Sequence, residues 1–241
     1  MTLLELKGLK THFLTRKGEV KAVDGVSFNV AQGEVFGLAG ESGCGKTTTA
    51  LSIMKLVPPP GRIVNGKIIF DGKDLVQTSE DEMRDIRWKK ISIVFQGAMN
   101  ALNPVLTVGK QIAEAILAHE DVTKDEAWKR AEYLLSLVGI GGERAKDYPH
   151  QFSGGMRQRV MIAMALACNP KLIIADEPVT ALDVIVQRQV LTTIKDLQKK
   201  LNLSMILITH DLSVIAQTCD RVAIMYAGKI VEQADVTSIF Q

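Results

Sequence analysis

The sequence predicts an α/β fold: a parallel sheet core, an antiparallel β-subdomain on its N-terminal side and a helical subdomain inserted in the middle. Three observations carry this reading. The near-continuous apolar segments "VFGLAG" (35–40), "KLIIAD" (171–176) and "SMILITH" (204–210) have the character of strands buried on both faces, as parallel strands are. "VSFNV" (26–30) instead alternates apolar Val26, Phe28 and Val30 with polar Ser27 and Asn29, the pattern of a half-buried strand. In the middle of the chain, roughly residues 98–165 change to a helical period. The expected organisation is one domain over 1–241, with 1–97 and 166–241 forming the core and β-subdomain and 98–165 the helical subdomain.

Taken in order, "VFGLAG" runs directly into the glycine-rich stretch "GESGCGKT" (40–47), after which a helix is expected from Thr47 to Met54. "RIVNGKIIF" (62–70) adds a strand closed by the turn signal Asp71-Gly72. "VGKQIAEAILAHE" (108–120) is helical in period. In "TKDEAWKRAEYLLSLVG" (123–139), Thr123 and Glu126 have capping-box spacing. There Ala127, Ala131, Leu134, Leu135 and Val138 share one face, and Gly139 stands where a C-cap belongs. Ser153 reads as the N-cap of the helix "GGMRQRVMIAMALA". A further helix carries its apolar stripe on Val186, Val190, Ile194, Leu197 and Leu201. "VAIMYAGKIVE" (222–232) closes as a hairpin with Gly228 in the turn.

Composition narrows the classes of function. The chain has 241 residues, with 29 Lys and Arg against 27 Asp and Glu, a net charge of +2 that does not suggest a nucleic-acid partner. The basic pairs Lys89-Lys90 and Lys199-Lys200 are expected as solvated surface. Cys44, Cys168 and Cys219 lack metal-type spacing and imply a reducing compartment. The N-terminal "MTLLELKGLKTHF" has no signal-peptide core, and runs such as "MILI" (205–208) fall far short of the roughly 20 residues of a membrane span. The expectation is a cytoplasmic chain that reaches a membrane only through a partner.

The strongest chemical signal is Gly40-Glu41-Ser42-Gly43-Cys44-Gly45-Lys46-Thr47, which fits G-x-x-x-x-G-K-[ST] between a strand and a helix. Such a loop turns successive backbone N–H groups and a helix N-terminus onto phosphate oxygens. Lys46 is then expected to bridge the β- and γ-phosphates and the Thr47 hydroxyl to ligate Mg²⁺. "LIIADE" (172–177) ends a buried strand in two carboxylates, an expensive arrangement unless they serve a cation or a proton. Asp176 is expected to hold Mg²⁺ and Glu177 to polarise an attacking water. His210, at the end of "LITH", is expected to contact the γ-phosphate. His12, His119 and His150 carry no such argument and are expected to be surface or structural.

A second glycine pair, in "FSGGM" (152–156), has a serine and no lysine, so it cannot neutralise a triphosphate alone. In this order and over essentially the whole chain, these motifs resemble the ATP-binding cassette (ABC) ATPases, with their P-loop ATPase core. "GESGCGKT" looks like the Walker A loop, Gln96 in "IVFQ" like the Q-loop, and "FSGGM" like the LSGGQ signature. "LIIADE" looks like Walker B with the catalytic glutamate, "ALD" (181–183) like the D-loop, and His210 like the switch histidine. The resemblance implies ATP and Mg²⁺ as cofactors. It implies nucleotide contacts from Phe13, which would stack on adenine, and from Gly40 through Thr47 and Thr48. It implies Mg²⁺ contacts from Thr47, Gln96 and Asp176, and a D-loop role for Asp183.

Ser153, Gly154, Gly155 and Met156 would act in trans, closing on the γ-phosphate held by a second, identical or paralogous cassette. Phe152 and Met156 replace the outer Leu and Gln of the signature, and Val179 stands where Ser or Thr is common. "MNALNP" (99–104) and "YPHQFSGGMRQRVMIAMALACNP" (148–170) look like the oligopeptide and dipeptide importer ATPases, with nickel-importer relatives. Those usually continue further, many with clustered cysteines. The implied partners are transmembrane permease subunits and, indirectly, an extracytoplasmic substrate-binding protein. Alternatives are a nickel or oligosaccharide importer, or a soluble ABC ATPase uncoupled from transport. Against the last stand the missing coiled-coil insert of repair members and the single cassette.

Overall fold

The computed structural model describes residues 1–97, 101–180 and 182–240. In chain order its elements are β1 (Thr2–Thr15), β2 (Gly18–Ala31), β3 (Val35–Gly40), α1 (Lys46–Ile53), β4 (Gly61–Phe70), β5 (Lys73–Asp74), α2 (Glu80–Ile86) and β6 (Ile91–Val94). There follow α3 (Val108–His119), α4 (Lys124–Leu137), α5 (Gly154–Ala165), β7 (Leu172–Asp176), α6 (Val184–Leu201), β8 (Ser204–Thr209), α7 (Leu212–Thr218), β9 (Arg221–Tyr226), β10 (Lys229–Asp235) and α8 (Val236–Ile239). The chain divides into two compact units, Met1–Arg84 with Ser204–Gln241, and Asp85–Leu203.

In the first unit, β2, β1, β4 and β5 form an antiparallel sheet in that order. The alternation read in "VSFNV" holds: Val26, Phe28 and Val30 are buried, Ser27 is exposed and Asn29 half-buried. Leu4 and Leu6 lie opposite Phe70 and Ile68, and all four are buried, which makes this sheet one wall of a core. Asp71 and Gly72 both take positive φ (50° and 80°), the geometry of a tight hairpin turn, so the Asp-Gly signal marks the end of β4. The same unit holds the apolar strands. β3 pairs in parallel with β8 on one side and β9 on the other, and β10 is antiparallel to β9. Every residue of β8 is buried, and so are Val35 through Ala39 of β3, as expected of strands covered on both faces. Phe28 of β2 stacks on Phe36 of β3 with ring centroids 4.8 Å apart, so the two sheets of this unit share apolar contact.

In the second unit, β6 and β7 pair in parallel, residue 91 against 172 through 94 against 175. The capping box of α4 is present in both directions: the Thr123 hydroxyl accepts from the Glu126 amide at 3.2 Å, and the Glu126 carboxylate accepts from the Thr123 amide at 2.8 Å. The five residues read as its inner face are all buried. The helix is capped at Val138, and Gly139 follows at φ 71°. The Arg159 guanidinium then donates to the carbonyls of both residues at 3.1 Å. Along α6, Val190, Leu191, Ile194 and Leu197 are buried. Leu201 departs from the expected stripe and is 41% exposed. The chain turns at Asn202 (φ 48°), and Leu203 takes the inward position instead.

The expected "MNALNP" motif begins at Met99 and Asn100, which lie outside the described residues. From Asn103 on, the segment is tied to α3 by the buried amide of Gln111, which accepts from the Asn103 N–H and donates to the carbonyls of Asn103 and Leu106. Among the described residues, no helix is long and apolar enough to cross a membrane.

Candidate functional site

The first unit carries the phosphate loop. β3 delivers the chain to Gly40 at φ 151°, and Gly45 opens α1 at φ 109°. A Cβ at Gly45 would collide with the backbone carbonyl of Ala22, and one at Gly40 with that of Met225. Glycine is therefore required twice over, by conformation and by space. The loop is also fastened from behind, since the Gly228 amide in the β9–β10 turn donates to the Cys44 carbonyl at 2.9 Å.

Lys46 is only 5% exposed. Its ammonium donates to the Gly40 and Glu41 carbonyls, each at 2.7 Å, and lies 3.7 Å from the Cys44 sulfur. Among the described residues no carboxylate pairs with it. A buried cation without a counter-charge at a helix N-terminus calls for an anion, and the loop amides and the helix end add to that demand. Thr47 is exposed in the first turn, and Thr48 is half-buried beside it. Glu41, Ser42 and Gly43 form the exposed lip of the loop.

Two other predicted residues lie in this unit. Phe13, half-buried on β1, packs over Gly61, where a Cβ would stand 2.5 Å from the ring. His210 follows the last residue of β8 and is exposed. The next residue, Asp211, caps α7. Its carboxyl is held below the usual range by the Ser213 hydroxyl, against the opposing effect of burial.

The second unit carries the strand-end carboxylates. Asp176 closes β7 at 1% exposure. Glu177 follows with φ 48°, a left-handed conformation unusual for a non-glycine residue. Its Oε2 accepts from two donors, Gln96 Nε2 at 2.7 Å and Thr180 Oγ1 at 3.0 Å. The Asp183 carboxylate accepts from the amides of Ile185 and Val186 at 3.1 and 3.0 Å and so starts α6. Ala181, the first residue of the expected "ALD" motif, lies outside the described residues.

Ser153, exposed, stands at the N-cap of α5 as read from the sequence. Its hydroxyl accepts from the Met156 amide at 3.4 Å, long for such a bond. Gly154 and Gly155 form the first helical residues. Gly155 is buried, and a Cβ there would collide with Val186 Cγ1, so this glycine lets α5 approach the first turn of α6. The two departures from the signature have a packing use. The Arg144 guanidinium sits 4.3 Å over the Phe152 ring and 3.7 Å from the Met156 sulfur, and it pairs with Asp147 at 2.8 Å.

The geometry thus brings together Gln96 and Glu177, orders Gly40 through Thr48 as one cradle, and sets Ser153 through Met156 at a helix head. Sequence reasoning passed over Thr180, whose hydroxyl three residues after Glu177 was the available signal. It also passed over the Gly155–Val186 contact, for which no signal exists in the sequence.

A glycine-rich loop between a parallel strand and a helix, with a buried lysine that no carboxylate among the described residues pairs with, together with a strand ending in two carboxylates, defines an α/β nucleotide-binding cassette. This chain belongs to the ABC transporter family, whose model matches residues 23–180. It is 56% identical to the oligopeptide transport ATP-binding protein OppD of Bacillus subtilis (strain 168), across 99% of this chain and 67% of that protein. It is 48% identical to the dipeptide transport ATP-binding protein DppD of Escherichia coli (strain K12), across 100% of this chain and 74% of that protein. Among solved structures it is similar to the ATP-binding cassette MJ0796, as a dimer in a post-hydrolysis state bound to ADP and Pi. That match has a TM-score of 0.85 and 28% identity, over 97% of this chain and 99% of the other. As a cassette of this family the chain binds ATP and is an ATPase.

Proposed function

We propose that this chain is the energy-coupling subunit of a membrane importer for di- or oligopeptides, and that it hydrolyses ATP as one of two cassettes paired head to tail. The observation that carries the nucleotide part is the buried Lys46 ammonium, held by the Gly40 and Glu41 carbonyls inside an amide-lined loop. The peptide cargo is supported by the oligopeptide and dipeptide transport named for the relatives at 56% and 48% identity. The implied permease subunits and substrate-binding protein belong to the same reading. They place the chain on the inner face of a membrane, attached through the permease. The boundary of a helical subdomain at 98–165 is likewise part of this proposal.

Each predicted residue takes a role in this scheme. Phe13 stacks on the adenine, and Gly40 through Thr48 cradle the phosphates, with Lys46 on the β- and γ-oxygens. Thr47, Gln96 and Asp176 offer oxygen donors, the set that suits a hard divalent cation. Gln96 fits this use because its amide nitrogen is committed to Glu177, leaving the carbonyl oxygen as its acceptor. Mg²⁺ held there would offset phosphate charge as the γ-phosphoryl group leaves. Glu177 orients and deprotonates the attacking water, and His210 contacts the γ-phosphate. The second cassette's Ser153, Gly154, Gly155 and Met156 present a hydroxyl, amides and a helix end to that phosphate, with Asp183 at the same boundary.

The test is Glu177→Gln. It is expected to retain ATP binding and stabilise a dimer while hydrolysis falls about 10²- to 10⁴-fold, the range for losing a general base. Hydrolysis at the wild-type rate would overturn the assignment of the base.

A further inference from the structure

We infer that Thr180 is a positioning residue that holds the Glu177 carboxylate in its working orientation, an inference that rests on Glu177 being the group that activates water. Glu177 takes a left-handed conformation (φ 48°) and directly precedes Pro178, a position that itself narrows the allowed backbone. A left-handed conformation is unfavourable for a non-glycine residue and persists where its surroundings over-determine it. Thr180 supplies that determination through two bonds. Its amide donates to the Glu177 carbonyl at 3.3 Å, closing the turn, and its hydroxyl donates to Glu177 Oε2 at 3.0 Å, fixing the side chain.

Gln96 donates to the same oxygen at 2.7 Å, so one carboxylate oxygen takes both restraints and the rotation of the group is set. The two donors differ in how they are tethered. Gln96 lies 81 residues away in the chain and, in the proposed function, also serves the cation. Thr180 lies within the same four-residue turn and moves with Glu177. Its restraint therefore survives any displacement of Gln96. No other side chain in the turn can replace it, because Pro178 and Val179 are apolar and buried.

Thr180 itself is exposed, so removing its hydroxyl leaves no buried orphan and the fold should be indifferent to the loss. That separates positioning from a merely structural role. Misaligning a reacting group by a fraction of an ångström lowers the rate without weakening substrate binding.

The experiment compares single-turnover ATP hydrolysis by the intact transporter carrying Thr180→Val, which keeps the shape without the donor, and Thr180→Ser, which keeps the donor. Thr180→Val is expected to lower the maximal rate roughly ten-fold, the effect of losing one hydrogen bond to a charged group. The ATP concentration for half-maximal rate and the melting temperature should stay at wild-type values, and Thr180→Ser should restore the rate. A wild-type rate in Thr180→Val, or a serine variant as impaired as the valine one, overturns the inference. Two controls run alongside. Wild-type hydrolysis by Glu177→Gln would overturn the base assignment, and this inference with it. If Glu177→Gln is inactive as expected, adding Thr180→Val to it should cause no further loss, and an additional ten-fold loss would show that Thr180 acts through another group.

Discussion

The two glycine-rich loops, 40–47 at the head of α1 and 153–156 at the head of α5, look alike as sequence and differ in what their glycines are for. In the first, Gly40, Gly43 and Gly45 all take positive φ, and the loop wraps a buried lysine. In the second, Gly154 and Gly155 are ordinary helical residues, and Gly155 is there because Val186 occupies the space a side chain would need. One loop uses glycine to bend the backbone around a buried lysine; the other uses it to bring two helices together beneath an exposed serine. The helix ends differ in the same sense. Gly45 offers α1 no side-chain cap, leaving its amides to a ligand, whereas Ser153 caps α5 over a long 3.4 Å.

This difference can be broken by substitution. The largest effect is expected at Gly45→Ala, where both the φ of 109° and the Ala22 carbonyl oppose a methyl group. ATP affinity of the isolated chain should fall at least about 100-fold as the amides lose their convergence, a loss of roughly 3 kcal/mol. Titration with a fluorescent ATP analogue measures it. Gly155→Ala should act on packing instead, destabilising by about 1–3 kcal/mol through overpacking against Val186. Thermal melts should show a fall of about 2–12 °C for a chain of this size. Val186→Ala, which removes the colliding atom, should recover most of it. An unrescued loss would mean that Gly155 serves something other than the α5–α6 approach.

Much of this was legible in the sequence, and the parts that were not have physical causes. "VSFNV", the Asp71-Gly72 turn and the Thr123–Glu126 capping box are short-range patterns, and the backbone follows each of them. The phosphate loop is equally local, with its lysine and glycines inside eight residues. Contacts between residues far apart in the chain were hidden, as with Gly155 and Val186 or Gln96 and Glu177. No periodicity announces such pairs, because they are set by how helices and strand ends meet. The short helices α2 and α7 were missed for another reason: seven residues give too few turns to establish a period. Leu201 was placed on the buried stripe of α6 by extending its period through the last turn, where the chain had already begun to leave the helix at Asn202.

The claim that ties the two loops together is that the first binds nucleotide within the chain while the second acts on nucleotide held by another cassette. Ser153→Ala separates them most directly, since the serine is exposed and its loss should cost α5 no more than about 1 kcal/mol of capping. The decisive measurement is ATP affinity of the isolated chain carrying Ser153→Ala, set beside ATP turnover by the intact transporter with the same change. Wild-type affinity with turnover lost is the predicted result. Loss of affinity in the isolated chain would place Ser153 in the same site as Lys46 and contradict the account.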